Sequence, residues 1–199
     1  NVNGRPPTEK QCRGNLDLLN RIVANPVLQE SRLKSQQSDM RRRETLFIEM
    51  PRAFLFHYEG TEKTTGWFRI KYWPNPAFHP NSRAAGVLMG LQGTMWVDPS
   101  SKRIVRIQGT LNKAVTFGWG ILARLQRGGR FVMEQSRLPD GAWHERLLFV
   151  RFTGTILIFK RLNVNLKQTF TAYREMPDNL TIAQAVDILK RVPVHCTQH

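Results

Sequence analysis

Carboxylates are scarce in this chain: 15 Asp and Glu face 30 Lys and Arg, a formal charge of +15 at pH 7. The shortage is sharpest in residues 101–174, where 14 Lys/Arg stand against three Asp/Glu, a balance of +11. Residues 1–50 hold nine basic and six acidic side chains and are nearly balanced. So few acids leave little material for carboxylate pairs or metal cages. The excess points either to an anionic partner or to a solvated sheet face. Arg outnumbers Lys 21 to 9, which suits forked contacts to carboxylate or phosphate.

Other absences narrow the reading further. No apolar run approaches the roughly 18 residues that span a bilayer as a helix. Only two cysteines occur, Cys12 and Cys196, without C-x-x-C or metal-ligand spacing. Two independent thiols are the default reading; in an oxidising compartment they would instead join the chain ends. The chain begins Asn-Val-Asn-Gly-Arg-Pro-Pro without Met or apolar leader, so the expectation is a mature form whose signal peptide has been removed. None of the five His (57, 79, 144, 195, 199) sits at metal spacing, so no metal is expected. No Ser lies in G-x-S-x-G, and Gly118-Trp119-Gly120 and Arg127-Gly128-Gly129-Arg130 resemble bends, not phosphate loops. Glu134 and Glu145 are the strand carboxylates that an acid/base enzyme would need, but nearby Arg130, Arg137 and Arg146 make cross-strand ion pairing the simpler expectation. No catalytic residue and no cofactor are expected; the reading is a binding protein, not an enzyme.

What is present is strands. Residues 94–97 and 103–111 flank the turn Asp98-Pro99-Ser100-Ser101-Lys102, a hairpin signal. Helical spacing of Leu16, Leu19, Ile22 and Val23 ends near Pro26, and a polar stretch over 27–49 follows, with Arg41-Arg42-Arg43 as a solvated helical face. From Ala53 the period changes to that of strands: 54–58, 67–73, 114–119, 130–137, 143–152, 156–160 and 164–173, with Gly154 expected to break the ladder. A short helix over 82–89 takes Ser82 as its cap, and a closing helix takes Asn179 or Thr181. The layout predicts an α+β fold: a mainly antiparallel meander of about nine strands, curved into a half barrel, with N- and C-terminal helices on its concave side. One domain of 199 residues is expected, with segments 1–50, 51–175 and 176–199.

Several strands are apolar on both faces: Leu147 and Phe149 oppose Leu148, Val150 and Phe152. Both faces must then be covered or hold an apolar ligand. Met95, Ile107, Phe117, Phe131 and Phe149 are the candidate ligand contacts, with basic residues at the rim. The runner-up is a polyanion or nucleic-acid binder, since Trp67, Phe68, Arg69, Lys71, Tyr72 and Trp73 interleave aromatics with cations on one strand. Alternation splits that set between two faces, so nucleic acid is not favoured.

Phe54–Tyr58, the strand at 67–73 with its sequel Pro74-Asn75-Pro76-Ala77-Phe78, Gly93-Thr94-Met95-Trp96-Val97-Asp98 with Arg103-Ile104-Val105-Arg106, and Phe117-Gly118-Trp119-Gly120-Ile121-Leu122 resemble uncharacterised secreted bacterial proteins. Those are similar, distantly, to the outer-membrane lipoprotein-sorting and carrier superfamily. The resemblance covers residues 50–175 and implies a periplasmic half barrel that holds an acyl chain or lipoprotein in an apolar concavity, or else an envelope partner. The charge excess separately reads as an anionic partner, such as nucleic acid, a lipid headgroup or a membrane surface. Carriers of that group use an Arg to hold a lid closed, and no Arg here is matched to it. Ligand identity and oligomeric state are left open.

Overall fold

The computed structural model describes residues 6–82, 85–117, 123–157, 160–171, 173, 175–177, 179–192 and 196. The chain forms two compact units, Asn1–Arg41 with Ala172–His199, and Arg42–Thr171. Among the described residues no helix is long and apolar enough to cross a membrane.

In the first unit, α1 spans Glu9–Ala24. Its end is reciprocally capped: Thr8 Oγ1 accepts from Gln11 N–H, and Gln11 Oε1 accepts from Thr8 N–H. Asn25 ends α1, and its Oδ1 accepts from Leu28 N–H at the start of α2, Pro26–Ala53. Pro26 at the first helical position costs no hydrogen bond, because that N–H would be unpaired anyway. The closing helix α3, Ile182–Arg191, repeats the capping box with Thr181 and Gln184; Thr181, not Asn179, is the cap. α1 and α3 pack together, and Val186 is buried. Cys12 and Cys196 are joined in a disulfide across 184 residues, which corrects the reading as independent thiols. The physical reason lies in packing: α3 returns to α1, so the two termini meet.

The second unit is a nine-stranded antiparallel sheet, not closed into a barrel. Its strands are β1 Phe54–Thr61, β2 Phe68–Pro74, β3 Leu91–Asp98, β4 Arg103–Leu111, β5 Val115–Phe117, β6 Ala123–Leu125, β7 Arg130–Arg137, β8 Trp143–Ile156 and β9 Lys160–Thr169. The β3–β4 turn is held as its composition predicts: Asp98 accepts from Ser100 N–H, Ser100 Oγ and Ser101 Oγ. These bonds hold the Asp98 carboxyl below the ordinary carboxylate range. Ser82 caps a short 3-10 helix, Ala85–Gly90, where an α-helix was expected. Strand ends expected at Trp119, the corner at 120–122, Ile158, Phe159 and His195 lie outside the described residues.

Two expectations need correction. Spatial order runs β1-β2-β3-β4-β7-β8, so the chain does not simply meander. The β5–β6 hairpin leaves the sequential order and pairs Ala123–Leu125 with Ile156–Gly154, on the same edge of β8 as β7 and beyond its end. Gly154 does not break the ladder, because β8 continues through it to Ile156. A Cβ there would stand 2.2 Å from the carbonyl oxygen of Arg124, so glycine admits the close approach of β6.

The tightest point of the sheet is the register row Tyr72, Gly93, Gly109, Phe131, Val150. A Cβ on Gly93 would lie 1.9 Å from Gln108 O, and one on Gly109 would lie 2.4 Å from Tyr72 Oη and 2.7 Å from Phe131 Cε1. Tyr72 is 1% exposed and occupies the space these glycines leave.

Two variants test these constraints. Gly109→Ala should lower unfolding stability by about 2 kcal/mol or more through overpacking against Tyr72, read from urea unfolding. Replacing Cys12 and Cys196 by Ser should destabilise the chain by about 2–5 kcal/mol, read as a lower melting temperature that matches wild type under reductant.

Candidate apolar binding site

The end of α2 lies on one face of the sheet. Ala53 and Phe54, where helix becomes strand, are 0% and 3% exposed and anchor that end in the core. Glu49 is buried beside them, and its Oε1 accepts from Asn81 Nδ2 at 2.9 Å, tying the helix to the loop after β2. The helix presents Leu46, Phe47 and Met50 to the sheet. Between these and the strands lies a pocket of about 270 Å³. Its sheet wall is built by period-2 alternation: Ile107 on β4, Phe131 and Met133 on β7, Leu148, Val150 and Phe152 on β8. Phe54 and Tyr72 close one end, with ring centroids 4.8 Å apart.

Every lining side chain except Tyr72 is apolar, and the Tyr72 hydroxyl donates to Gln108 O at 3.0 Å. Burial pushes the Tyr72 phenol well above its ordinary value, because the phenolate would lose its hydration without gaining a donor. Among the described residues no charged side chain lines the pocket, and the basic rim expected from the sequence is not part of the described wall. Phe47 is 47% exposed and stands at the boundary between pocket and solvent. Among the described lining residues the Tyr72 hydroxyl is the one polar side-chain group, and it is taken up by Gln108 O.

The sequence-derived candidates separate. Ile107 and Phe131 line the pocket. Met95 is buried next to it, registered between Ile70 and Ile107. Phe117 packs on the edge of the core and lines a different groove, beside Met89 and Lys113. Phe149 stands on the opposite face, in register with Val132 and Lys167, and lines a shallow groove of about 340 Å³ there. Strand alternation is the reason: Phe149 is one residue from Leu148 and Val150, so it cannot share their face. The other twelve lining residues, among them Leu46, Phe47, Met50, Met133 and Leu148, were not among the sequence-derived candidates. The i, i+4 spacing of Leu46 and Met50 beside the helix end carried a signal for two of them.

Glu134 is 9% exposed and ion-paired with Arg146 and, at 3.6 Å, with Arg106 Nε. The Arg106 guanidinium lies 5.0 Å from the centre of the Trp96 ring. A register shift after Glu134 places Gln135 opposite Glu145, and Arg146 takes the Glu134 carboxylate. Glu134 therefore ties β4, β7 and β8 on the face away from the pocket. Comparison with protein-family models, curated proteins and solved structures finds no match to this chain.

Tyr72→Phe tests the buried phenol. Near neutral pH it should cost about 1 kcal/mol for the lost bond to Gln108. The folded-state value is raised, so wild-type stability from this group is complete below the unfolded value of about 10 and declines as pH rises above it. The difference between the two proteins should therefore shrink above about pH 10, as read from denaturant midpoints across an alkaline series.

Proposed function

We propose that this protein binds a single apolar chain or a similarly slim lipid-like molecule in the pocket beneath α2. The carrying observation is the pocket itself: about 270 Å³, walled by helix and sheet, with no free polar side chain. The volume sits at the lower end of ligand sites, which run from about 300 Å³ upward, and this favours one acyl chain over a bulky ring system. In this reading the open antiparallel sheet acts as half of a barrel wall, and the α2 end with the 3-10 helix covers its concave side. The pairing of Cys12 with Cys196 supports an oxidising compartment, periplasmic or extracellular. The reading follows the expectation that the sequence resemblance to the lipoprotein-carrier superfamily raised, an acyl chain as cargo. The protein acts by shielding its guest from water, without covalent chemistry.

Titration of a fluorescent fatty acid into the delipidated protein should saturate, and mass spectrometry of an organic extract should recover lipid from the protein as isolated. Met133→Trp, which fills the pocket, should weaken the titration by about tenfold or more while leaving the fold intact by circular dichroism. Phe149→Leu, on the opposite face, should leave it unchanged. Absence of both saturation and extractable lipid removes the reading.

A further inference from the structure

The sheet face away from the pocket carries a charge repulsion that no described residue offsets. Arg130 on β7 and Arg151 on β8 are directly opposite each other in register. Like charges in that position repel and destabilise the pair. The same face continues with Lys167 opposite Phe149, and with Arg124 and Arg161 on either side of Thr155. All five cations are exposed, and among the described residues none has an ion-pair or hydrogen-bond partner. The nearest acid in register, Glu134, is already held by Arg106 and Arg146.

Strands lie about 4.8 Å apart, so Arg124 and Arg161 are roughly 10 Å apart and the five charges spread in two dimensions over four strands. A spread array of four to eight cations matches the headgroup plane of an anionic bilayer, where each contributes by proximity and none needs a shaped pocket. A single nucleic-acid strand demands aromatic rings on which successive bases stack. Among the described residues the patch offers one ring, Phe149, and that ring is half-buried.

We propose that the face formed by β6, β7, β8 and β9, centred on the Arg130–Arg151 pair, docks the protein on an anionic membrane surface. An anionic bilayer supplies the counter-charge whose absence makes the Arg pair unfavourable. The inference is independent of the apolar pocket, which lies on the other face of the sheet.

Co-sedimentation of the full chain with phosphatidylcholine vesicles, with and without phosphatidylglycerol, tests it. Binding should require phosphatidylglycerol and fall as salt rises. Arg130→Gln with Arg151→Gln should weaken partitioning by about thirty-fold, from the usual contribution of two basic residues at such a surface. The same pair of changes should leave the melting temperature equal or higher, because repulsion is removed. Lys10→Gln with Lys63→Gln removes equal charge elsewhere and should weaken partitioning far less. If the Arg double variant fails to fold, Arg161→Gln with Lys167→Gln replaces it with the same expected direction. Equal loss in the Lys10/Lys63 control, indifference to phosphatidylglycerol, or retention of single-stranded DNA without vesicle binding each overturns the proposal.

Discussion

The crossing of Tyr72 over the glycine pair Gly93 and Gly109 is the constraint around which the sheet is arranged. Three neighbouring strands meet there with one side chain in place of three. The phenol reaches Gln108 O, so the one polar atom at the pocket's end is hydrogen-bonded within the protein. Its ring rests against Phe54, at the joint between α2 and β1, so the same residue sets where the helix end lies over the strands. A larger residue at either glycine would push the phenol outward, leave a buried hydroxyl unpaired and shift the helix off the sheet. Local backbone permissiveness, core packing and pocket shape are thus one problem with one solution.

The two faces of the sheet have opposite chemistry because they have different neighbours. On the helix side the alternation of β7 and β8 exposes Met133, Leu148 and Phe152 to an apolar space. On the other side the same strands carry Arg130, Glu134 and Arg151, with Arg106 lying against Trp96. Glu134 is the exception that joins strands on that side, since its carboxylate holds two guanidinium groups. Towards β6 and β9 no described acid plays that part, and the cations are exposed. The sheet therefore has an ion-paired half and an uncompensated half on one face.

Local signals carried much of the fold. The Asp98-to-Lys102 turn and the strand Arg130–Arg137, bounded by glycine and proline, are visible because turn chemistry and period-2 patterning agree. The change of period at Ala53 marks the helix end for the same reason. What the sequence did not show is non-local. The β5–β6 hairpin has three-residue strands, too short to declare a partner, and it pairs with β8 where chain order pointed to β4 and β7. The last strand begins at Lys160, earlier than expected, because the chain turns at Leu157, which has a φ of 50°. No β-turn rule predicts leucine in a left-handed conformation. Three of the fourteen lining residues were hidden in a helix whose polar sequence drew attention away from Leu46, Phe47 and Met50. Phe149 falls on the face opposite this pocket, as its alternation with Leu148 already implies.

That polar helix also explains why a pocket exists. α2 gives the sheet only a short apolar strip, while Glu49 turns to Asn81 and Ile48 remains 66% exposed. A strip so narrow cannot fill the trough between Tyr72 and Phe152. Closed and empty, a cavity of this 270 Å³ size would cost about 6 kcal/mol at the usual penalty per unit volume. That is comparable to the whole net stability of an ordinary domain, so an empty, sealed space is the least tenable state. The space opens to solvent past Phe47, so it is filled by water, by inward settling of the helix end or by an apolar guest. Ala53 and Phe54 oppose the settling, because both are already buried at the joint and the Asn81 bond holds Glu49 one turn earlier. The helix end is thus pinned at the distance that leaves room for the guest proposed above.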